Sequence, residues 1–319
     1  MDLYFTVDVE ITDHRLSYSE NLDTQLTLPY FELAERFCEA DVKATFYLSI
    51  APKALGIDWN DYLRCLKRIL RYNRNEFASH IRIQPHLHCL NLPFDYCKGS
   101  DFFSDYTPEQ QVEMLKLGRQ ICEDGGVEVT SFRPGGFKNS DDYYAALAEA
   151  GFAISSTMRL DRNPAIDLKS GAIDREHGVF EAAHGVIEYP VTSVHLHSVK
   201  GRDETINLSP DFFELASVGQ QMRQLDYINL NFHSFSWYHG RPVRERFPNM
   251  RKETIKHLIR EFVMKKLLKP LDADIVTDTI YREHFDQWLA KLPQQGNCLW
   301  VGERSAKIGE RAQPSAVAG

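Results

Sequence analysis

Four short stretches of this 319-residue chain hold residues whose types and spacing could do chemistry together. The first is Phe5-Thr6-Val7-Asp8-Val9-Glu10. Side chains alternate along a strand, so Asp8 and Glu10, two apart, point the same way. Carboxylates at the end of a buried apolar strand are costly unless paired or bound to a cation. The second is Pro85-His86-Leu87-His88. Both imidazoles can face one point, which suits a Zn²⁺-type ion with an Asp or Glu as the oxygen ligand. An isolated His-x-His is more often a pair held by carbonyl groups, so the spacing alone does not decide. His80, upstream, is a weaker candidate. The third is Ser131-Phe132-Arg133-Pro134-Gly135-Gly136-Phe137. The planar fork of Arg133 can fix a carboxylate, and Gly135 would let the backbone approach a ligand, with Phe137 beside it. The fourth is Asn229-Leu230-Asn231-Phe232-His233-Ser234, followed by Trp237 and Tyr238. His233 can act as a general acid because imidazole titrates near working pH. Trp237 is read as a sugar-stacking wall. A second His-x-His, His195 and His197, has no acidic partner nearby in sequence and is read as structural.

These stretches need rigid elements to aim them. The first 240 residues alternate short apolar runs with amphipathic segments, the rhythm of an α/β protein. Strands are expected at Leu3–Val9, Ala44–Ser49, Ile81–His88, Val129–Arg133, Ala153–Ser156, Val186–Val191 and Tyr227–His233. Each stretch with chemistry falls at the C-terminal end of one of them, where α/β barrels build their sites. Helices are expected after Pro29, after Thr107-Pro108-Glu109-Gln110 with its capping box, from Ser140 to Gly151, and after Ser209-Pro210-Asp211. Beyond residue 240 the pattern changes. Residues 241–303 read as a helical extension packed on the barrel of residues 1–240, with helices at Arg251–Leu268 and Tyr281–Leu292 and a short strand at Cys298–Val301. Residues 304–319 read as a flexible tail.

Composition narrows the partners. With 43% hydrophobic and 26% charged residues, the chain is an ordinary globular protein. Its net charge of −8 argues against nucleic acid, which needs a cationic surface. No window approaches the ~18 apolar residues of a membrane span. Six scattered cysteines without CxxC spacing read as reduced thiols. The acidic start at Met1-Asp2 lacks the basic region of a signal peptide, so a cytoplasmic location is expected.

The order of the four stretches is more specific than any one of them, and it resembles the polysaccharide deacetylases of carbohydrate esterase family 4, with their chitooligosaccharide-deacetylase homology domain. Thr6-Val7-Asp8-Val9-Glu10 resembles the family's Thr-Phe-Asp-Asp-Gly motif in an Asp-Val-Glu form, and Lys43-Ala44-Thr45-Phe46-Tyr47 resembles its second strand. His86-Leu87-His88, Phe132-Arg133-Pro134-Gly135-Gly136-Phe137, Leu147-Ala148-Glu149-Ala150-Gly151-Phe152 and Phe232-His233-Ser234 resemble later motifs in order. The resemblance implies a distorted (β/α)7 barrel holding a divalent metal, most often Zn²⁺. It implies removal of an N-acetyl or similar acyl group from a sugar, for which a nucleotide- or lipid-linked precursor in surface-polysaccharide synthesis fits a cytoplasmic protein. Two positions depart from the pattern. Val9 stands where the family has its second aspartate, so Asp8 or Glu10 must supply the oxygen ligand. Leu90 stands where its second histidine falls, so His88 must replace it. The assignment carried forward puts Glu10, His86 and His88 on the metal. It makes Asp8 the general base oriented by Arg133 and His233 the general acid, with Gly135, Phe137 and Trp237 facing the substrate. The competing reading is a degenerate relative that binds glycan or a partner without turnover.

Overall fold

The computed structural model describes residues 1–11, 22–52, 57–97, 100–137, 140, 142–157, 165–167, 178–197, 203–208, 222–234, 237, 282–291 and 296–303. Its strands are β1 (Asp2–Val9), β2 (Ala44–Ser49), β3 (Ile81–Leu87), β4 (Ser131–Pro134), β5 (Ile154–Ser155), β6 (Ala165–Asp167) and β7 (Phe180–Glu181), then β8 (Ile187–Glu188), β9 (Ser193–His197), β10 (Asp203–Asn207), β11 (Tyr227–His233) and β12 (Asn297–Leu299). The helices described are α1 (Leu28–Glu39), α2 (Trp59–Tyr72), α3 (Pro108–Asp124), α4 (Tyr143–Glu149) and, from the C-terminal part, α5 (Arg282–Leu289).

One curled sheet runs in the order β11-β1-β2-β3-β4-β5-β8-β7. Its pairings are parallel up to β8, and β7 adds an antiparallel edge. With the helices around it this is a half-barrel of the distorted (β/α) type. Hydrogen bonds link β11 to the chain leaving β8: Thr192 N donates to Asn229 O (2.9 Å), and the Tyr227 hydroxyl donates to Pro190 O (2.8 Å). A separate three-stranded sheet, β10-β9-β6, carries His195 and His197 on β9.

β1 and β2 are buried along their whole lengths. Both are covered on two faces, as strands within a parallel sheet are. On β1 the outer residues Leu3, Phe5, Val7 and Val9 join the main apolar core. Phe5 meets Phe37 of α1 and Trp288 of α5, ring centroids 5.3 and 4.9 Å apart. The inner residues change from apolar to polar along the strand: Tyr4 packs on Tyr189 and Tyr227, then come Thr6 and Asp8, and Glu10 follows the strand end.

Local signals explain the starts of α2 and α3. Asp58 caps α2, accepting from Asp61 N, and Thr107 with Gln110 forms a complete capping box on α3. Ser140 does not cap α4. Its hydroxyl is bonded to the Gln111 side chain, and the helix starts at Tyr143 behind Asp142. Gly151 ends that helix region at φ +83°, where a side chain would be strained. The strand expected over Val186–Val191 shortens to Ile187–Glu188: Tyr189 N and Val191 N still donate to Ser155 O and Thr157 O (2.8 Å each), but Thr157 N goes to the Glu188 carboxylate (2.6 Å) and not to the ladder. The start of β4 is completed by a side chain: Gln84 Oε1 accepts from Thr130 N (2.9 Å) and Ser131 N (2.7 Å).

The C-terminal elements belong to the same core. Phe285 of α5 packs among Phe37, Phe232 and Trp237. β12 pairs with Asp2–Tyr4 of β1, while β2 takes Thr6–Val9. Lys43 pairs with Glu303 (2.9 Å), and Trp300 lies between Lys43 and Arg82, each 4.2 Å from its ring centroid. The helices expected at Arg251–Leu268 and after Ser209, and the tail 304–319, lie outside the described residues.

Candidate metal centre and active site

Strand alternation brings the site together. Asp8 of β1, His86 of β3, Arg133 of β4 and His233 of β11 face the site, with Glu10 two residues after Asp8, His88 two after His86 and Asn231 two before His233. Register does the rest: Asp8 lies beside His233, and His86 beside Arg133. His88 follows β3 by one residue and Glu10 follows β1 by one. Val9 points the other way, into the apolar core, so its lack of a carboxylate leaves the inner face unchanged.

Arg133 is fully buried and every N–H of its guanidinium meets an acceptor. Nη1 donates to Asp8 Oδ1 (2.7 Å) and Asn231 Oδ1 (2.6 Å). Nη2 donates to Thr6 Oγ1 (2.9 Å) and Ser156 Oγ (2.8 Å), and Nε to Ser156 O (3.2 Å). Its plane lies 4.1 Å from the Tyr47 ring centroid. Burial alone would push the Asp8 carboxyl up, but Arg133, His86 and His233 outweigh it and hold Asp8 below the ordinary carboxylate range.

Glu10, His86 and His88 converge, each 2% exposed, with one ligand atom apiece within 4.8 Å of the others. His88 Nε2 lies 2.6 Å from Glu10 Oε2 and 3.2 Å from His86 Nε2. The other ring nitrogens are engaged. His86 Nδ1 donates to the Arg133 carbonyl (3.1 Å), which can only accept, so in the neutral ring Nε2 carries the lone pair. His88 Nδ1 sits 2.7 Å from Asp101 Oδ2. Two imidazole nitrogens and a carboxylate oxygen thus face one point, which fits a Zn²⁺-type cation with a coordination position left over. Cys89, next in sequence, turns into the apolar core and adds no sulfur ligand. Burial would lower the affinity of His88 for a proton, yet Glu10 and Asp101 push it up to about 9. Burial would likewise raise Glu10, but His88 and His86 hold it well below the usual range. Without a cation the pair is therefore an ion pair.

The surrounding residues fix this arrangement. Ser234 Oγ accepts from Glu10 N (3.1 Å) and donates to Glu10 O (3.0 Å), pinning the backbone beyond β1. His233 is 26% exposed, with Nε2 3.6 Å from Glu10 Oε1 and 3.9 Å from Asp8 Oδ2. Phe137 adopts φ +58° and its ring lies 5.5 Å from the Arg133 guanidinium. Gly135 has a more definite reason than ligand approach: a Cβ there would lie 2.7 Å from His88 Nδ1 and 2.9 Å from Leu87 O. Trp237 must be corrected. It is fully buried, donates from Nε1 to Glu32 Oε2 (2.8 Å) and packs on Phe285, so it offers no face for a sugar. Tyr238 lies outside the described residues. His80 bonds Asp41 (3.0 Å) and Ser79, and His195 lies in register with Asp167 and Thr205. Neither belongs to the cluster. Residues that the sequence did not single out complete the site: Thr6, Ser156 and Asn231 around Arg133, Ser234 behind Glu10, and Asp101 behind His88.

No protein-family model matches the chain. No curated protein matches its sequence. Solved structures do resemble it. A candidate polysaccharide deacetylase from Mycobacterium smegmatis is 16% identical over 93% of this chain and 92% of its own, with TM-score 0.46. A candidate polysaccharide deacetylase from Bordetella bronchiseptica, described as involved in O-antigen biosynthesis, is 12% identical over 91% and 90%, with TM-score 0.41. A CE4 family pseudoenzyme from Bacillus anthracis is 10% identical over 84% and 60%, with TM-score 0.36. Several structural neighbours are thus polysaccharide deacetylases. At these identities the likeness is one of shape, and function rests on the site residues. Among the described residues no helix is long and apolar enough to cross a membrane.

Proposed function

We propose that the protein is a metal-dependent hydrolase that removes an N-acetyl or similar acyl group from a sugar. The observation that carries this reading is the convergence of Glu10, His86 and His88 beside an Asp8 held ionised by Arg133. When bound there, a divalent cation supplies a Lewis acid for the acyl carbonyl and for a water molecule.

The chain's own residues supply the proton transfers. Arg133 occupies Asp8 Oδ1, so Asp8 Oδ2, with a longer contact to Asn231 Nδ2 (3.3 Å), is the oxygen that takes a proton from the attacking water. His233 Nε2, on the half-open side of the cluster, gives a proton to the departing amine as the C–N bond breaks. The products are the free acid and the amino-sugar. Gly135 keeps the His88 ring in place, and Phe137 borders the site. A nucleotide- or lipid-linked acetylated sugar in surface-polysaccharide synthesis is the proposed substrate class, in the cytoplasm, with Zn²⁺ the proposed ion. Residues 1–240 form the proposed catalytic barrel and 241–303 its extension.

The test is metal analysis of the purified protein together with acetate release from acetylated amino-sugars. The reading requires about one equivalent of bound metal and turnover that is lost on chelation and restored by Zn²⁺. Protein that stays inert after Zn²⁺ reconstitution overturns it. A second reading, a glycan-binding protein without turnover, draws support from the Glu10–His88 ion pair, which satisfies the cluster with a proton alone. Metal-free protein that binds glycan unchanged after His86→Ala would favour it.

A further inference from the structure

We propose that Asp101 is a positioning residue for the metal centre, setting the orientation and donor strength of His88. The inference rests on the reading that Glu10, His86 and His88 hold a divalent cation. The two imidazoles are supported differently. His86 gives its Nδ1 proton to a neutral backbone carbonyl, that of Arg133, at 3.1 Å. His88 gives its own to a carboxylate, Asp101 Oδ2, at 2.7 Å. A carboxylate behind a ligating histidine fixes the tautomer, locks the ring and makes the far nitrogen a stronger donor. Among the described residues, the other oxygen of Asp101 makes only a long contact, accepting from Leu90 N at 3.5 Å, the backbone two residues beyond His88.

The geometry gives His88 a particular need for this support. His88 lies one residue past the last position of β3, where the ladder no longer holds the backbone. Gly135 leaves room for the ring at its Nδ1 edge, and Asp101 fills the hydrogen-bonding position of Nδ1. His86 sits inside β3, in register with Arg133, and needs no such brace. Asp101 reaches the site from the loop before α3, 13 residues after His88. It is partly exposed, so it supports the centre from the solvent side.

The experiment measures Zn²⁺ affinity of the full chain by competition with a chromogenic chelator, without any sugar, for wild type, Asp101→Ala and Asp101→Asn. The absorption spectrum of the Co²⁺-loaded form is recorded for each. Asp101→Ala is expected to weaken Zn²⁺ binding about 10–100-fold and to shift the Co²⁺ bands. Asp101→Asn keeps an acceptor oxygen for Nδ1 without the charge, so its affinity should fall between the two. In a His88→Ala background, Asp101→Ala should cost nothing further, which a general structural role would not reproduce. Asp101→Ala and Asp101→Asn affinities both within twofold of wild type overturn the inference and leave the metal reading standing. Wild-type protein that binds no Zn²⁺ overturns the metal reading first, and this one with it.

Discussion

Arg133 carries its five N–H groups into the interior, and the acceptors that meet them are Asp8, Asn231, Thr6 and Ser156. Removing the guanidinium would leave the Asp8 charge buried and unpaired. Arg133→Met is therefore expected to cost about 3–5 kcal/mol in urea unfolding. Adding Asp8→Asn should recover part of that loss, and a double variant as unstable as the single one would refute the pairing. Gly135→Ala tests a different constraint. Its methyl would press on His88 Nδ1 and on the Leu87 carbonyl, neither of them a flexible chain end. Zn²⁺ affinity should fall about tenfold or more, read by chelator competition. Unchanged affinity would show that the ring yields freely. At this scale the sequence was readable where a polar residue interrupts an apolar strand at a two-residue interval, as at Asp8, Glu10, His86, His88 and His233. Asn231 and Ser156 obey the same alternation, but Asn and Ser have too many ordinary uses on strands to stand out. Asp101 gave no signal because a loop residue has no periodicity tying it to His88. Trp237 was misread because an aromatic near a strand end can turn either inward or toward the helices, and here Glu32 and Phe285 hold it in the core.

Elements were readable where a single physical signal dominated. The Tyr227–His233 strand and the Thr107 capping box stand where the apolar run and the Thr-Pro-x-Gln pattern put them. Elements were misjudged where tertiary partners decided, as when Gln111 claimed the Ser140 hydroxyl, or where the Glu188 carboxylate took the Thr157 N–H from the ladder. The pairing of β12 with β1 could not be read at all, since a three-residue strand carries almost no pattern of its own. The contribution of α5 is measurable. Phe285 is almost wholly buried among Phe37, Phe232 and Trp237. Phe285→Ala should cost about 3–5 kcal/mol and lower a single cooperative transition. A loss confined to a separate, earlier transition would mean that α5 unfolds on its own.

For the whole molecule, a buried carboxylate that the proposed reaction does not use also matters. Glu188 is fully buried, accepting from Thr157 N (2.6 Å) and the Tyr144 hydroxyl (3.1 Å). Burial pushes its carboxyl above the ordinary glutamate value, against the pull of its hydrogen bonds. A group raised on folding adds stability below its unfolded pKa and loses it as pH rises through the folded one. Glu188→Gln stays neutral throughout, so its melting temperature relative to wild type should rise from pH 4 to pH 8. A difference that does not change with pH would refute the assignment. The arrangement around β1 has a temporal meaning too. That strand precedes all its partners in sequence, which are β2, then β11, and last β12, with Asp2 bonded to Asn297 across 295 positions. Contacts this remote make for slow folding, and a nascent chain has no means of completing its central strand early. While the ribosome is still adding residues 297–303, the start of β1 has its β12 edge bare, and Lys43, Arg82 and Thr45 await Glu303, Trp300 and Val301. The strand that carries Asp8 is made before its partners and gains its β12 edge only after β2 and β11 are in the chain.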